Sequence, residues 1–157
     1  MAEKRVFSLA TKVKLEEELR FLKNEGLKER VENLQTARGF GDLSENYEYK
    51  VAREEMNKAE ARIQEIEIIL SSVEIYEKKK NSSKVELGSV VTIEDVDTNV
   101  KKTYEIVGDF EADLNATPIR ICYTSPLGKI LLGAKKGSEV DYVHNGKEVT
   151  YEITDIE

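Results

Sequence analysis

Residues 38–49 read RGFGDLSENYEY and lie between two long helical patterns. Gly39 and Gly41 relax the steric limits on the backbone and allow the chain to reverse its direction. Asp42 and Glu45 follow at the expected start of the second helix, and a spacing of three residues puts both carboxylates on one helix face. The stretch therefore predicts a helical hairpin whose turn holds two acidic side chains.

Two interpretations of Asp42 and Glu45 are open. In the first they form a capping box, in which Asp42 accepts a backbone N–H and Glu45 reaches back to the cap; this is the commoner use of such a pair. In the second they project into a partner and hold a divalent cation, since magnesium is often bound by one or two carboxylates plus substrate phosphates. Two acids do not form a whole metal site, so another molecule would have to complete it.

The first helical pattern approaches the turn in two parts. Leucines form an apolar stripe over residues 15–22, and the stripe restarts in a shifted phase at Leu27. Glycine weakens a helix, so we expect a kink or break near Gly26. The helix should end near Arg38, with Gly39 as its C-cap.

The second helical pattern has a heptad seam, which predicts packing against the first helix. At about 1.5 Å per residue, a helix from Glu45 to about Tyr76 would be on the order of 45 Å long. A short turn makes such helices antiparallel neighbours. Residues 1–76 are thus predicted to form an antiparallel coiled coil, with residues 39–46 as its acidic tip. The seam consists of Tyr49, Ala52, Met56, Ala59, Ile63, Ile66, Leu70 and Val73.

The pattern changes after the coil. Residues 77–84 are polar and basic and predict a linker; a solvated hinge is the favoured interpretation, and contact of its lysines with nucleic acid is the alternative. Residues 85–157 alternate with a period of two and predict a small antiparallel sheet with one helix. The fold class is therefore α+β. Strands are expected at 89–93, 103–107, 119–123, 139–143 and 148–153, a helix from Ser125-Pro126 to Leu132, and a tight turn at Asn145-Gly146.

Composition limits the class of protein. The chain has 157 residues, of which 35% are charged and 39% hydrophobic. It has no apolar run near the roughly 20 residues of a membrane span and no apolar signal-peptide core at its start, so we expect a cytoplasmic protein that does not bind membranes. A single cysteine excludes an internal disulfide, and with one histidine it makes a zinc site improbable. Cys122 and His144 are expected to be structural.

Negative charge is concentrated in the second half of the chain. Residues 1–80 contain 16 basic and 17 acidic side chains, a net charge of −1, whereas residues 81–157 contain 8 and 14, a net charge of −6. An acidic half argues against independent binding to duplex nucleic acid, where neutralising phosphates dominates the affinity. It suits docking on a basic protein surface, although a solvated acidic surface without a partner fits the charge equally well.

Residues 41–49 resemble the tip signature of the bacterial Gre transcript-cleavage factors, and the GreA branch is the most similar. Residues 108–113 and 124–133 also match Gre-like patterns in order. The resemblance implies a coiled coil followed by an FKBP-like domain, with bacterial RNA polymerase as the partner. The coil would enter the secondary channel of polymerase, and the second domain would grip the rim of that channel.

The resemblance also implies a mechanism. Asp42 and Glu45 would help polymerase to hold a second magnesium ion and its water, and the active site of polymerase would then cut backtracked RNA at its 3′ end. The isolated chain would bind no cofactor and would not itself be an enzyme. The acidic tip would contact the nascent RNA 3′ end, and the factor is expected to be a monomer.

Further site residues follow from matching positions. Those expected to support the acidic tip or contact RNA are Arg38, Asn46, Glu48, Tyr49 and Arg53. Ser125 and Pro126 match a polymerase-docking segment, although an ordinary helix cap explains them as well. Phe40 and Tyr47 are bulkier than the pattern suggests, and they either stack on RNA or cover the turn.

Three other functions fit the sequence less well. Some paralogues bind polymerase and inhibit it, but the retained pair of Asp42 and Glu45 argues against that role. A chaperone-like coiled-coil module would need an apolar tip. A prolyl isomerase would need an aromatic-rich pocket, whereas this chain has no tryptophan and Phe110 is its only phenylalanine after residue 81.

Overall fold

The structure, a computed structural model, describes residues 4–39, 46–78 and 83–157. Helices dominate the first half and strands the second half, so the α+β class is confirmed. The elements are β1 (Arg5–Phe7), α1 (Leu9–Phe21), a π-helical turn (Leu22–Gly26), α2 (Leu27–Arg38), α3 (Tyr47–Ser71), β2 (Val73–Ile75), β3 (Val90–Asp95), β4 (Lys101–Val107), β5 (Ile119–Cys122), α4 (Pro126–Leu131), β6 (Glu139–His144) and β7 (Lys147–Ile156).

The chain divides into two compact units. One contains residues 12–73, and the other contains residues 5–11 together with residues 74–157. This division differs from the predicted boundaries at residues 1–76, 77–84 and 85–157. The segment before the first helix was predicted as part of the coiled coil at residues 1–76, but it contains β1, which pairs with β2. Part of the predicted linker lies outside the described residues.

The helical unit is a hairpin in which α2 packs against α3. The predicted seam is confirmed along α3, where every seam position from Tyr49 to Leu70 is buried or half-buried. Alanines at two buried seam positions, Ala52 and Ala59, allow the helices to approach closely. The predicted end near Tyr76 was wrong: α3 stops at Ser71. The β-branched residues Val73 and Ile75 join a strand instead, where such side chains pack well.

The predicted irregularity at Gly26 is confirmed and takes the form of a π turn. The Leu27 N–H donates to the carbonyl of Leu22, five residues earlier. Such turns occur mostly as single insertions in α-helices. The turn restores the phase of the apolar stripe, because five residues between Leu22 and Leu27 would otherwise leave these side chains about 140° apart around an α-helix. The helix then ends at Arg38 with Gly39 as the C-cap, as predicted.

In residues 83–157, five strands form one sheet in the order β5-β4-β3-β7-β6. The β4–β5 pair is parallel and the other pairs are antiparallel. The hairpin turn at Asn145-Gly146 is as predicted, since both residues have positive φ, at 51° and 78°, as a type I′ turn requires. The core of this sheet contains Val85, Val91, Ile93, Ile106, Ile121, Leu131 and Ile153.

Candidate functional site

The acidic tip is described only at its two ends. Gly39 closes α2, where its N–H donates to the carbonyls of Gln35 at 3.3 Å and Thr36 at 3.1 Å. Asn46 opens α3. Asp42 and Glu45, the two residues predicted to hold magnesium, lie outside the described residues, so their role stays a prediction.

Asn46 is bonded to both helices of the hairpin. Its Oδ1 accepts the backbone N–H of Tyr49 at 3.0 Å, the usual N-cap bond. Its Nδ2 donates to the carbonyl of Ala37 at 2.5 Å, across the end of the hairpin. The capping role that one interpretation gave to Asp42 therefore belongs to Asn46, and the predicted start of the helix at Glu45 moves to Tyr47.

Three of the predicted supporting residues form a group on one flank of the hairpin. The guanidinium carbon of Arg38 lies 5.7 Å from the centre of the Tyr49 ring, within cation–π range. A hydrogen bond from Arg38 lowers the pKa of Tyr49 below its ordinary value, and the charges of Arg38 and Arg53 lower it further. Two arginines thus converge on one phenol, giving this flank a local positive charge despite the negative charge of the whole chain.

The opposite flank has an open hollow of about 370 Å³. Tyr47, at 76% exposure, and Glu48 lie at its end nearest the acidic tip. Ala37 and Ala52 are small and help to leave this space. The hollow is lined by Arg30, Asn33, Thr36, Ala37, Tyr47, Glu48, Val51, Ala52 and Glu55. Glu48 is therefore not brought together with Arg38 and Tyr49.

Arg30 lines this hollow and was not anticipated from the sequence. Its Nη1 donates to the carbonyl of Gly26 at 3.0 Å, and its buried Nε has no hydrogen-bond partner among the described residues. This bond ties the Arg30 side chain to a backbone carbonyl of the π turn. A basic residue four positions after a helical glycine is the available signal, but it is too common to predict this contact.

The predicted docking residues begin α4 in the second unit. Ser125 caps this helix: its Oγ accepts the N–H of Gly128 at 3.1 Å and donates to the carbonyl of Cys122 at 2.7 Å. Pro126 occupies the first turn and is exposed. The alternative given for this pair, an ordinary helix cap, is thus realised, and their docking role stays a prediction.

A buried carboxylate, Glu111, organises a hydrogen-bond cluster within the same unit. Glu111 is 5% exposed. It accepts hydrogen bonds from the hydroxyls of Ser8 and Thr11, both at 2.5 Å, from the Tyr76 hydroxyl at 2.8 Å and from the Gly108 N–H at 3.0 Å. Burial raises the pKa of Glu111, but these donors outweigh it, so the pKa lies below its ordinary value. In the sequence, Glu111 stands out only as part of residues 108–113, which match a Gre-like pattern.

The segment around Glu111 holds β1 closely. The Asp109 N–H donates to the carbonyl of Val6 at 2.6 Å, and the Val6 N–H donates to Asp109 Oδ2 at 2.9 Å. Phe110 has a φ of 65°, and its ring lies 6.3 Å from that of Phe7 and 5.7 Å from the guanidinium carbon of Arg5. Residues 108–111 therefore bind β1, the strand that precedes α1, through backbone, carboxylate and aromatic contacts.

Within the described ranges, no group of three or more His, Cys, Asp or Glu side chains could hold a metal ion. The helices of those ranges also include none that is long and apolar enough to cross a membrane.

Comparison with known proteins gives matches to both halves of the chain. Residues 7–75 match the family model for the N-terminal part of the transcription elongation factor, and residues 79–157 match that for "Transcription elongation factor, GreA/GreB, C-term". Transcription elongation factor GreA of Agrobacterium fabrum is 40% identical over 154 residues, which cover 98% of this chain and 96% of the relative. The GreA of Bradyrhizobium diazoefficiens is 42% identical over 144 residues, covering 91% and 90%.

Among solved structures, the crystal structure of GreA factor homolog 1 from Thermus thermophilus is 28% identical, covers 99% of both chains and has a TM-score of 0.44. The family assignment rests on the sequence matches, because they span nearly the whole chain at about 40% identity. The chain therefore belongs to the GreA/GreB family and is a transcription elongation factor of the GreA type.

Proposed function

We propose that this factor binds bacterial RNA polymerase, places its coiled coil in the secondary channel and stimulates the magnesium-dependent cleavage of backtracked RNA at its 3′ end. By itself the factor does not catalyse the cleavage; it activates the endonucleolytic activity of polymerase. It acts as a monomer, and its acidic tip meets the 3′ end of the nascent RNA.

The observation that supports this proposal best is the identity of the residue that caps α3. Asn46 fills that position, so the carboxylates of Asp42 and Glu45 are not needed to start the helix. A long packed hairpin with two acids in its turn suits delivery of those acids to a partner. The sequence identity to GreA factors supports the same role.

Magnesium fits the donors of the acidic tip. Asp42 and Glu45 offer hard carboxylate oxygens, the ligands that magnesium prefers, but two side chains leave the shell incomplete. Polymerase and RNA phosphates would complete it. When bound, the ion would stabilise the attacking and leaving oxygens of the displacement. The role of this chain would be to hold the ion at the RNA 3′ end through Asp42 and Glu45.

The remaining site residues have supporting parts in this proposal. Arg38 and Arg53 are close enough to Tyr49 to perturb its phenol, and they present positive charge to the RNA backbone from one flank. Glu48 faces the other flank. In the second unit Ser125 and Pro126 contact polymerase, and the net charge of −6 in residues 81–157 favours a basic docking surface.

A cleavage assay on a stalled, backtracked polymerase complex tests the proposal, with and without magnesium. Asp42→Ala and Glu45→Ala should each slow stimulated cleavage by roughly 100-fold, the scale for losing one group that stabilises transition-state charge. Affinity for polymerase should stay nearly unchanged. Glu29→Ala is the matched control, because Glu29 is an exposed acid on α2 of the same hairpin.

Two results would contradict the proposal. Full cleavage by both tip variants would reject the metal role. Polymerase binding without cleavage by the wild-type factor would instead favour a modulating paralogue. Affinity for polymerase should also fall as salt is raised, because screening weakens attraction between charged surfaces.

A further inference from the structure

We infer that the hollow between α2 and α3 receives a helix of polymerase that carries two cationic side chains two turns apart, with an aliphatic side chain between them. The inference rests on the proposed function, which puts this hairpin inside polymerase, and it names the chemistry of the segment that one flank of the hairpin meets. The hollow has a volume of about 370 Å³, an apolar floor and two carboxylates along one edge.

The floor of the hollow consists of small and aliphatic side chains. Ala37 and Ala52 are buried where α2 packs against α3, and their small side chains leave the space above them open. Val51 is 39% exposed and Tyr47 is 76% exposed, although both are large apolar residues. Exposed apolar surface in a concave site favours a partner that buries it. A groove between two helices also has the shape that accepts the apolar face of a third helix.

Two carboxylates on α3 set the charge of this flank. Glu48 and Glu55 both line the hollow and are exposed. They are seven residues apart, so two helical turns put them on one face with Val51 between them and their Cα atoms about 10.5 Å apart. Neither carboxylate is paired with a cation of a described residue. The order acid, aliphatic residue, acid is complementary to a helix with a cation, an aliphatic residue and a cation at the same spacing.

The same charges argue against nucleic acid in the hollow. Phosphates would face two carboxylates there, whereas binding RNA needs side chains that neutralise phosphates. Arg30 is the cation in the lining, but its Nη1 donates to the Gly26 carbonyl at 3.0 Å, toward the π turn and away from Glu48. The two flanks of the hairpin therefore differ in charge: Arg38 and Arg53 suit RNA on one, and the hollow suits a protein segment on the other.

Charge reversal inside and outside the hollow tests the inference on stalled, backtracked polymerase. Glu55→Lys should raise the dissociation constant of the full-length factor about tenfold, because like charges would then meet across the contact. Glu54→Lys is the matched control, because Glu54 is an exposed acid next to Glu55 that does not line the hollow. Its dissociation constant should rise by no more than about twofold, since salt screens charges outside a contact.

A second variant removes apolar surface without changing the charge. Val51→Ser should weaken binding to polymerase by about threefold to fivefold, because less apolar area is buried in the complex. At saturating concentrations of factor, Val51→Ser and Glu55→Lys should both stimulate cleavage at the wild-type rate, which separates docking from the chemistry of cleavage.

Crosslinking identifies the occupant of the hollow. A photo-reactive amino acid in place of Asn33, an exposed lining residue of α2, should crosslink to a polymerase peptide that has basic residues two helical turns apart. Crosslinking to RNA alone, to a peptide without that pattern or to no component would overturn the inference, and so would wild-type affinity in both Glu55→Lys and Val51→Ser. These results leave the proposed function standing if the wild-type factor binds polymerase and stimulates cleavage. A wild-type factor that does not bind polymerase would overturn both.

Discussion

Arg62 on α3 and Glu18 on α1 form a two-point ion pair, in which Nε donates to Oε1 at 2.8 Å and Nη2 donates to Oε2 at 3.0 Å. These bonds lower the pKa of Glu18 and raise that of Arg62. The side chains are 41% and 37% exposed, so solvent screens their attraction. Paired planar geometry nevertheless makes this contact stronger than an ordinary surface ion pair.

A double-mutant cycle with Glu18→Gln and Arg62→Gln should therefore give a coupling free energy of about 0.5–1 kcal/mol in urea unfolding at low salt. The coupling should shrink as salt is raised. The pair Lys12 and Glu16, one turn apart on α1 with an N–O distance of 3.8 Å, is the comparison and should couple more weakly. Equal coupling in the two pairs would show that the two-point geometry adds nothing.

Glu111 should stabilise the second unit only while it is ionised. Replacing it with glutamine should lower the free energy of unfolding at pH 7 by about 2–3 kcal/mol, because several buried donors lose a charged acceptor. Urea unfolding measures this change. Glu139→Gln, at an exposed position of β6, is the control and should change stability little.

The same carboxylate predicts the direction of the acid response. The pKa of Glu111 is lowered in the folded protein, so the unfolded chain binds the proton more readily. Its stabilisation is complete above the ordinary value of 4.5 and is lost as the pH falls through the lower folded value. Stability measured against pH should therefore decline less steeply in Glu111→Gln than in the wild type, and parallel curves would contradict this account.

Gly108 should tolerate no side chain, because a Cβ there would lie 2.2 Å from the Val6 carbonyl oxygen and 2.9 Å from the Phe7 Cα. Both are backbone atoms that cannot move aside alone. Gly108→Ala should cost about 3 kcal/mol, at the upper end of overpacking effects. Gly133→Ala is the comparison, because Gly133 has a φ of 86° and open space around its Cα, so an added Cβ would cause backbone strain without a clash. This variant should lose only about 1 kcal/mol of stability. Thermal unfolding of the two variants would reveal an equal loss if close approach were unimportant.

Gly26 should accept alanine. Its φ of −64° suits any residue, and the closest atom to an added Cβ is the Arg30 Nη1 at 3.1 Å, at the end of a long side chain. Alanine favours helix over glycine by about 1 kcal/mol, so Gly26→Ala should raise the free energy of urea unfolding by roughly half of that or more. A destabilised variant would mean that the Arg30 side chain cannot move away from the added methyl group.

Tyr49 should titrate more readily than an ordinary tyrosine because Arg38 stabilises its phenolate. Arg38→Gln should raise the pKa of Tyr49 toward its ordinary value, and Arg53→Gln should do so to a smaller degree. Ring carbon chemical shifts followed against pH provide the measurement. Lys50→Gln removes a charge from the neighbouring position on α3 and is the control. An unchanged titration in Arg38→Gln would show that the two side chains do not interact in solution.

Periodic features of the sequence predicted their structures well. The heptad seam of α3, the stripe shift at Gly26 and the Asn145-Gly146 turn each depend on a local pattern with one favoured geometry. The boundaries of α3 were harder. Asp42 and Asn46 are both good caps by type, so the sequence alone does not choose between them; in the structure Asn46 accepts the Tyr49 N–H at the start of α3.

Long-range contacts could not be read from local patterns. β1 has three residues, and its pairing with β2 joins segments almost 70 residues apart. Glu111 likewise meets Thr11 across 100 positions. An acidic residue in a polar stretch usually faces solvent, so nothing local indicated that this one would be buried. In the candidate site, the Arg38 and Tyr49 contact was anticipated only as general support, because spacing across the acidic tip does not fix which flank each side chain occupies.

The π turn at Leu22–Gly26 contains one residue more than a regular α-helical turn would. The packing of α2 against α3 depends on this extra residue. Deleting a single residue there would produce a more ordinary helix, yet everything between the deletion and Arg38 would rotate by about 100°. Ala37 would then turn away from α3, and its carbonyl would leave the reach of Asn46. The face that α2 turns toward α3 at Ala37 is thus set by an irregularity more than ten residues away, and length changes in this helix are not interchangeable with substitutions.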